Sequence, residues 1–306
     1  MDTIRLNGEQ THASVTVVFI FPDVCSHSMR LRALFLALGL PLASLPAFAC
    51  NMDLLQRGAA VADYVETVLP CLSTLPQGHE FDQRMELEFL DLINQARAFE
   101  GLAPVALRAE LRDAARFHSL DMAYNDFFGH DGPDGRNPKD RILAFDRRAL
   151  FKYSSENVAM IEAIRGRWDF ERKAVPRLHG NLMDSPSHRA NILSPKATHV
   201  ALGVVQTKTG VWVTQLFMDL SANLPGDMPL RLQAGQAILE RPEIAGWMFH
   251  GYELHTTDGT YIPIGRGVPR TVKGEAELAA HARQPGDSPG KFYVIRFMGP
   301  AVTVGG

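Results

Sequence analysis

Apolar side chains recur at helical spacing along residues 83–125. In MELEFLDLINQARAFEGL, Met85, Phe89, Leu92, Ile93 and Ala96 follow the three-and-four spacing of one buried helix face. Gly101 and Pro104 close that helix. In AELRDAARFHSLDMAYND, Leu111, Ala114, Ala115, His118 and Met122 share a second such face. His118 therefore reads as a core histidine holding one hydrogen bond. The stretch FFGHDGPDGRNPKDR, 127–141, is dense in Gly, Asp and Pro and predicts a loop. Residues 140–150 can continue as helix, and 161–180 are amphipathic and partly helical. MDSPSHRANIL starts a further helix, with Asp184 or Ser185 as N-cap and Pro186 in the first turn.

The period then changes. Val200, Leu202 and Val204 alternate, as do Val211, Val213 and Gln215, with Thr207-Lys208-Thr209-Gly210 between them. This is a β-hairpin. Helices first and clear strands late favour an α+β fold, helices packed around an antiparallel sheet. Residues 50–80 form a helical lead-in broken at Pro76-Gln77-Gly78, and 81–221 the main domain. SANLPGDMP, 221–229, reads as a linker. Residues 228–306 read as a small, mostly β accessory domain. It holds a hairpin turning at Asp258-Gly259 and a strand in KFYVIRFM, with 274–283 its one candidate helix.

Composition narrows the class. The 306 residues are 46% hydrophobic, enough for a sizeable core, and the net charge of −3 without any basic run gives no basis for a nucleic-acid partner. Residues 1–49 read as an N-terminal extension and signal peptide. Within MRLRALFLALGLPLASLPAFA, 29–49, two arginines precede an apolar stretch, and Ala47-Phe48-Ala49 ends it as a small-x-small cleavage site. Translation is expected to start at Met29. The apolar stretch is shorter than the about 20 residues of a membrane span, so no span is expected in the mature chain; an uncleaved anchor is the alternative. Cleavage after Ala49 makes Cys50 the first mature residue. Lipidation there is an alternative against which Ala47, rather than leucine, speaks. In an oxidising compartment Cys50 and Cys71 read as a disulfide, and Cys25 falls in the extension. The location implied is secreted or periplasmic.

Two familiar catalytic signatures are absent: the sequence has no HExxH and no phosphate loop. The acids of DGPDGRNPKD miss the alternating positions of a calcium loop, so it reads as a solvated turn region. What remains is His130, Glu156, His188 and, more distantly, His179. His188 lies in the first turn of its helix, where the dipole disfavours an imidazolium. Neutral imidazoles with a carboxylate suit a divalent metal such as zinc, and equally a hydrogen-bonded polar cavity. No two of the groups lie within four residues of each other, so spacing does not choose.

FLDLINQARAFEGLAPV, AARFHSLDMAYNDFFGHDGPDGRNPKDRI, SENVAM, LMDSPSHRANILSPKATHVALGVV and VWVTQLF, in that order, resemble the bacterial branch of the CAP superfamily. These are the cysteine-rich secretory, antigen 5 and pathogenesis-related proteins, also called SCP-like extracellular domains. The resemblance covers about residues 85–219. It implies a three-layer α-β-α sandwich with a compact antiparallel sheet, an extracytoplasmic location, and a cleft lined by two histidines and two glutamates in which some members bind a divalent metal. His130 in FFGHDG, Glu156 in SENVA and His188 in SPSHR match three of those groups. The Trp-x-x-Glu segment that supplies the second glutamate elsewhere is here LMDS, with Leu182 and Ser185 in those places. The resemblance leaves His118, His179 and Ser185 as surrounding groups, and Asn157 and Arg189 as structural groups at helix ends.

Three functions follow as expectations. One is a binding module for a small ligand, a lipid or a cell-envelope component, with or without a weakly held divalent metal. Another is a peptidase-like hydrolase in which Glu156 is the candidate base for a water held by His130 and His188. The third is an interaction protein with a vestigial cleft.

Overall fold

The computed structural model describes residues 4–5, 50–162, 170–239, 241–288 and 290–305. The leader at 29–49 and Cys25 lie outside the described residues. A two-residue strand, β1 (Ile4–Arg5), pairs in parallel with the end of β4 (Ala149–Glu162).

The helical periods hold. Helix α1 (Val61–Ser73) lies in the lead-in, and α2 (Gln83–Phe99) buries Met85, Phe89 and Ile93. The Asp82 carboxylate caps α2 by accepting from Met85 N, and Gly101 at φ 71° turns the chain out of it. Helix α3 (Arg112–Tyr124) follows, then α4 (Pro138–Phe145), whose start is fixed by the Asn137–Asp140 capping box. Helices α5 (Phe170–Asp184) and α6 (Pro186–Ile192) come next, with Ser185 as the N-cap of α6. Of the amphipathic stretch expected over 161–180, residues 161–162 end β4 and 163–169 lie outside the described residues.

β5 (His199–Gln206) and β6 (Gly210–Asn223) form the expected hairpin. The short β2 (Glu80–Phe81) and β3 (Ala106–Leu107) pair along the outer side of β5, and β4 pairs antiparallel with β6. The alternation along β5 separates the layers. Val200, Leu202 and Val204 face the α2/α5 core, whereas Ala201 and Val205 face the side of α1, α3 and α4. The result is a three-layer α-β-α arrangement. Gly203 permits the closeness of α3: a Cβ there would stand 2.2 Å from the carbonyl carbon of Ala115.

Helix α3 is buried on more than its apolar stripe, because α1 and α4 cover the side away from the sheet. The Cys50–Cys71 disulfide pins the start of the lead-in onto α1.

The C-terminal strands are β7 (Arg231–Gln233), β8 (Met248–Thr256), β9 (Tyr261–Ile264), β10 (Gly274–Pro285) and β11 (Phe292–Gly305). They run on from the first sheet in the order β4-β11-β10-β8-β9, joined where Met298 pairs with Phe151. The β8–β9 hairpin turns at Gly259, φ 84°. Residues 274–283, the candidate helix, are instead the central strand β10. Ala276, Leu278, Ala280 and Ala282 alternate into the core at period two, and pairing with β8 and β11 on both sides decides the conformation.

The segment read as a linker is packed rather than free. Leu224 and Met228 are buried in the C-terminal core, and the Arg147 guanidinium donates to the carbonyls of Met228, Pro229 and Ala301.

Helix α1 lacks a side-chain cap of its own. Glu275 supplies one from β10, its Oε2 accepting from Val61 N at 2.8 Å and its Oε1 from Thr303 Oγ1 at 2.7 Å. Glu275→Ala is expected to cost about 1 kcal/mol in denaturant unfolding, the usual cost of a lost N-cap. No change in the unfolding midpoint would mean that water replaces the carboxylate.

Candidate functional site

Strand β4 carries Glu156 on the face turned to α3 and α4, with Val158 beside it packing on Met122. Asn157 faces the other layer, toward α6. The side chain of Glu156 is only 1% exposed. Its Oε1 accepts from His130 Nδ1 at 2.8 Å, and its Oε2 accepts from Arg141 Nη2 at 2.8 Å. Arg141, also buried, donates to the backbone carbonyls of His130 and Arg136 at 2.8 Å each. One guanidinium thus fixes both the carboxylate and the loop that carries the imidazole. His130 itself is 48% exposed, so the ring has one edge on Glu156 and the other toward solvent.

Burial alone would raise the pKa of Glu156. The His130 hydrogen bond and the Arg141 charge overcome it and hold the carboxyl below its ordinary range. The same bond to Glu156 raises His130, against a smaller opposing effect of burial. The pair therefore favours a carboxylate behind an imidazolium.

His188 is half-buried at the start of α6, its protonation disfavoured by burial and then by the charge of His130. The backbone of His188, rather than its ring, is what bonds to the strand that carries Glu156. Asn157 holds α6 in place: its Nδ2 donates to His188 O at 3.1 Å, and its Oδ1 accepts from Asn191 Nδ2 at 2.9 Å. Asn191 also donates to Glu156 O. Asn157 thus has the structural role the resemblance implies, but from a strand rather than a helix end. Arg189 bonds Glu100 at the C-terminus of α2.

His118 is the expected buried histidine, its Nε2–H donating to Gly129 O at 2.9 Å. It also stands 3.9 Å from Glu156 Oε1, which places it behind the site. Burial lowers its pKa to about 4, with Arg141 adding to the shift, so the ring is neutral. His179 is buried on α5, and burial alone lowers its pKa; no described hydrogen bond joins it to the cleft. Ser185 is half-buried and its side chain makes no capping bond. The calcium-like loop is solvated at Asp131, Pro133, Gly135 and Asn137 and packed at its other acids. Asp134 is buried against Arg136, and Asp140 is used in the capping box of α4.

His130, Glu156 and His188 do not, as arranged, fit a resident divalent metal. Both Glu156 oxygens are engaged, one by a guanidinium that opposes a cation, and His130 has only Nε2 left to offer. Among the described residues, no three His, Cys, Asp or Glu side chains are grouped so as to hold a metal ion. The residue that sequence reasoning passed over is Arg141. Its signal was a lone arginine beside Ile142, Leu143 and Ala144 on a short helix.

Residues 90–217 match the family model described as CAP: Cysteine-rich secretory protein family. Over 167 residues the chain is 30% identical to the uncharacterized protein YkwD of Bacillus subtilis (strain 168), covering 55% of this chain and 57% of that one. It is 26% identical over 163 residues to the uncharacterized membrane protein YlbC of the same organism, covering 53% and 44%. The chain spans about half the length of the curated relatives it matches.

Three solved structures are similar. One is an extracellular protein containing an SCP domain from Bacillus anthracis str. Ames, at 26% identity, 45% of this chain, 41% of that chain and a TM-score of 0.37. Another is an outer surface protein from Borrelia burgdorferi, at 16%, 46%, 98% and 0.38. The third is a cysteine-rich secretory protein from Staphylococcus aureus, at 20%, 47%, 40% and 0.32. No described helix is long and apolar enough to cross a membrane.

Proposed function

Because residues 90–217 are a CAP domain, we propose that this protein is an exported binding module. Its cleft takes the acidic or carbonyl oxygen of a small ligand or envelope component. The observation that carries this reading is the Arg141–Glu156–His130 chain. Glu156 is shielded by protein on both oxygens, so the group offered to solvent is the free N–H of a His130 imidazolium. The buried Arg141 and Glu156 charges offset each other, which leaves the imidazolium as the cation next to solvent, with the exposed Asp131 carboxylate near enough to act on it. Neutral His188, held on α6, supplies a second hydrogen-bonding group. An oxygen acceptor suits that pair better than a cation does.

The test is calorimetric titration of soluble muropeptides, and separately of short-chain phosphatidylglycerol, into wild type and His130→Gln/His188→Gln. About a tenfold loss of affinity is expected for the double variant, the usual worth of one charge-assisted hydrogen bond. Identical heats from both proteins would end the reading. Binding should also weaken as pH rises through the raised pKa of His130, because the imidazolium is then lost.

A hydrolase is the second reading, favoured by the same hydrogen bond but with the roles changed. Glu156 is too enclosed to take a proton from water. It would orient His130, whose Nε2 is the base. Glu156→Gln would then lower turnover of peptide or ester substrates and shift the pH–rate profile to lower pH, as His130 loses its anionic partner. Turnover with an unmoved profile would assign the activity to another site.

A further inference from the structure

The end of the β10–β11 hairpin, remote in sequence from the cleft, exposes apolar side chains in a row. Phe292, Tyr293 and Val294 are 47%, 48% and 56% exposed, and Met248 on β8 is 47% exposed. Met248, Phe292 and Val294 share one face with Arg283, and Tyr293, by strand alternation, lies on the other face of the same hairpin tip. Val294 pairs with Arg283, Arg283 with Met248, and Phe292 with Pro285. Cations are interleaved with them. The Arg283 guanidinium lies 4.8 Å over the Phe292 ring, and that of Arg296 4.3 Å over Tyr261. Lys291 precedes Phe292. Arg283 and Lys291 form no ion pair with the described residues, whereas Arg296 bonds Glu253 and the Tyr293 hydroxyl donates to Asp287. Three cations against two acids leave the patch positive.

We propose that this hairpin end docks on a lipid bilayer bearing anionic headgroups. Aromatic rings with cations at their rims suit the boundary between acyl chains and headgroups, where the ring is buried and the charge meets phosphate. A soluble polyanion would neutralise Arg283 and Lys291 but leave the apolar row in water. A second copy of the chain would cover that row but bring the same unpaired cations together across the twofold axis. The bilayer alone satisfies both halves of the patch.

The test is co-sedimentation of the full chain with phosphatidylcholine vesicles, with and without about one-third phosphatidylglycerol. Partitioning into the anionic vesicles is expected to exceed that into the neutral ones by about tenfold, and to fall by about tenfold in Phe292→Ser/Tyr293→Ser/Val294→Ser and in Arg283→Gln/Lys291→Gln. The apolar stretch at 33–45 is common to every chain compared, so the differences isolate the hairpin.

Equal partitioning into both vesicle types, or a triple variant that sediments like wild type, would overturn the proposal. So would loss of a concentration-dependent dimer in the triple variant with vesicle binding intact, which assigns the face to a second copy. A fluorophore on Ser288→Cys, in a chain otherwise altered only at Cys25→Ser, tests the idea without touching the patch. Its emission should shift to the blue with anionic vesicles, and an unmoved spectrum also refutes the docking.

Discussion

Replacing Arg141 with leucine is expected to cost about 3–5 kcal/mol of folding free energy, the usual result of leaving a buried charge without its partner. Arg141 and Glu156 expose only 2% and 1% of their side chains, so water does little to screen the pair. The substitution removes the donor to Glu156 Oε2 and those to the carbonyls of His130 and Arg136. Lysine is not a substitute, because one ammonium cannot reproduce a planar fork that reaches three acceptors in different directions.

Guanidinium unfolding of wild type, Arg141→Leu, Arg141→Lys and Arg141→Leu/Glu156→Leu measures this. The double variant should recover part of the loss, since it removes the orphaned carboxylate as well. Arg141→Leu as stable as wild type would mean that the enclosure of Glu156 opens readily to solvent.

Asp121→Asn is expected to stabilise the protein by about 3 kcal/mol at pH 7, with the gain gone by pH 4. Asp121 is buried on α3, and burial raises its pKa from 3.8 to about 6 despite the hydrogen bond from Asn125. Its ionisation above pH 6 therefore opposes folding. Asparagine keeps an acceptor for Asn125 and removes that opposition.

His118, one turn earlier, pulls the other way. Its pKa falls from 6.5 to about 4, so the unfolded chain binds a proton there that the folded one refuses. Stability is lost as pH falls between those values. In wild type, between about pH 4 and 6, the folded chain carries its proton on Asp121 and the unfolded chain on His118. The proton counts match, and these two groups give no slope.

Asp121→Asn leaves His118 unopposed, and about 3 kcal/mol should then be lost between pH 6.5 and 4. His118→Gln should do the reverse and gain stability toward acid. Glu156, His130, His188 and His179 titrate in every chain and largely cancel in the differences. Unfolding curves from pH 4 to 8 decide it, and a wild-type-to-variant difference that is flat with pH would contradict the burial of Asp121.

The sequence alone determined the elements whose own residues contain the reason for them. Helix α2 has its Asp82 cap, its buried stripe and its Gly101 stop. The β5–β6 and β8–β9 hairpins have alternation and turn residues of their own. It also singled out His130, Glu156 and His188, through motif order rather than spacing. Tertiary structure decided the rest, because those outcomes depend on what packs from elsewhere in the chain. Residues 274–283 carry both periods, and flanking strands made them β10. Helix α3 showed one apolar stripe, yet α1 and α4 buried its polar residues too, which is why Asp121 and His118 lie far from their ordinary pKa values. Glu156 reads as a base in isolation. Only folding set Arg141, an unremarked residue of a short helix, against its second oxygen and made it the support of an imidazole. A side chain's protonation and reach are set by its neighbours in space, and local sequence does not list them.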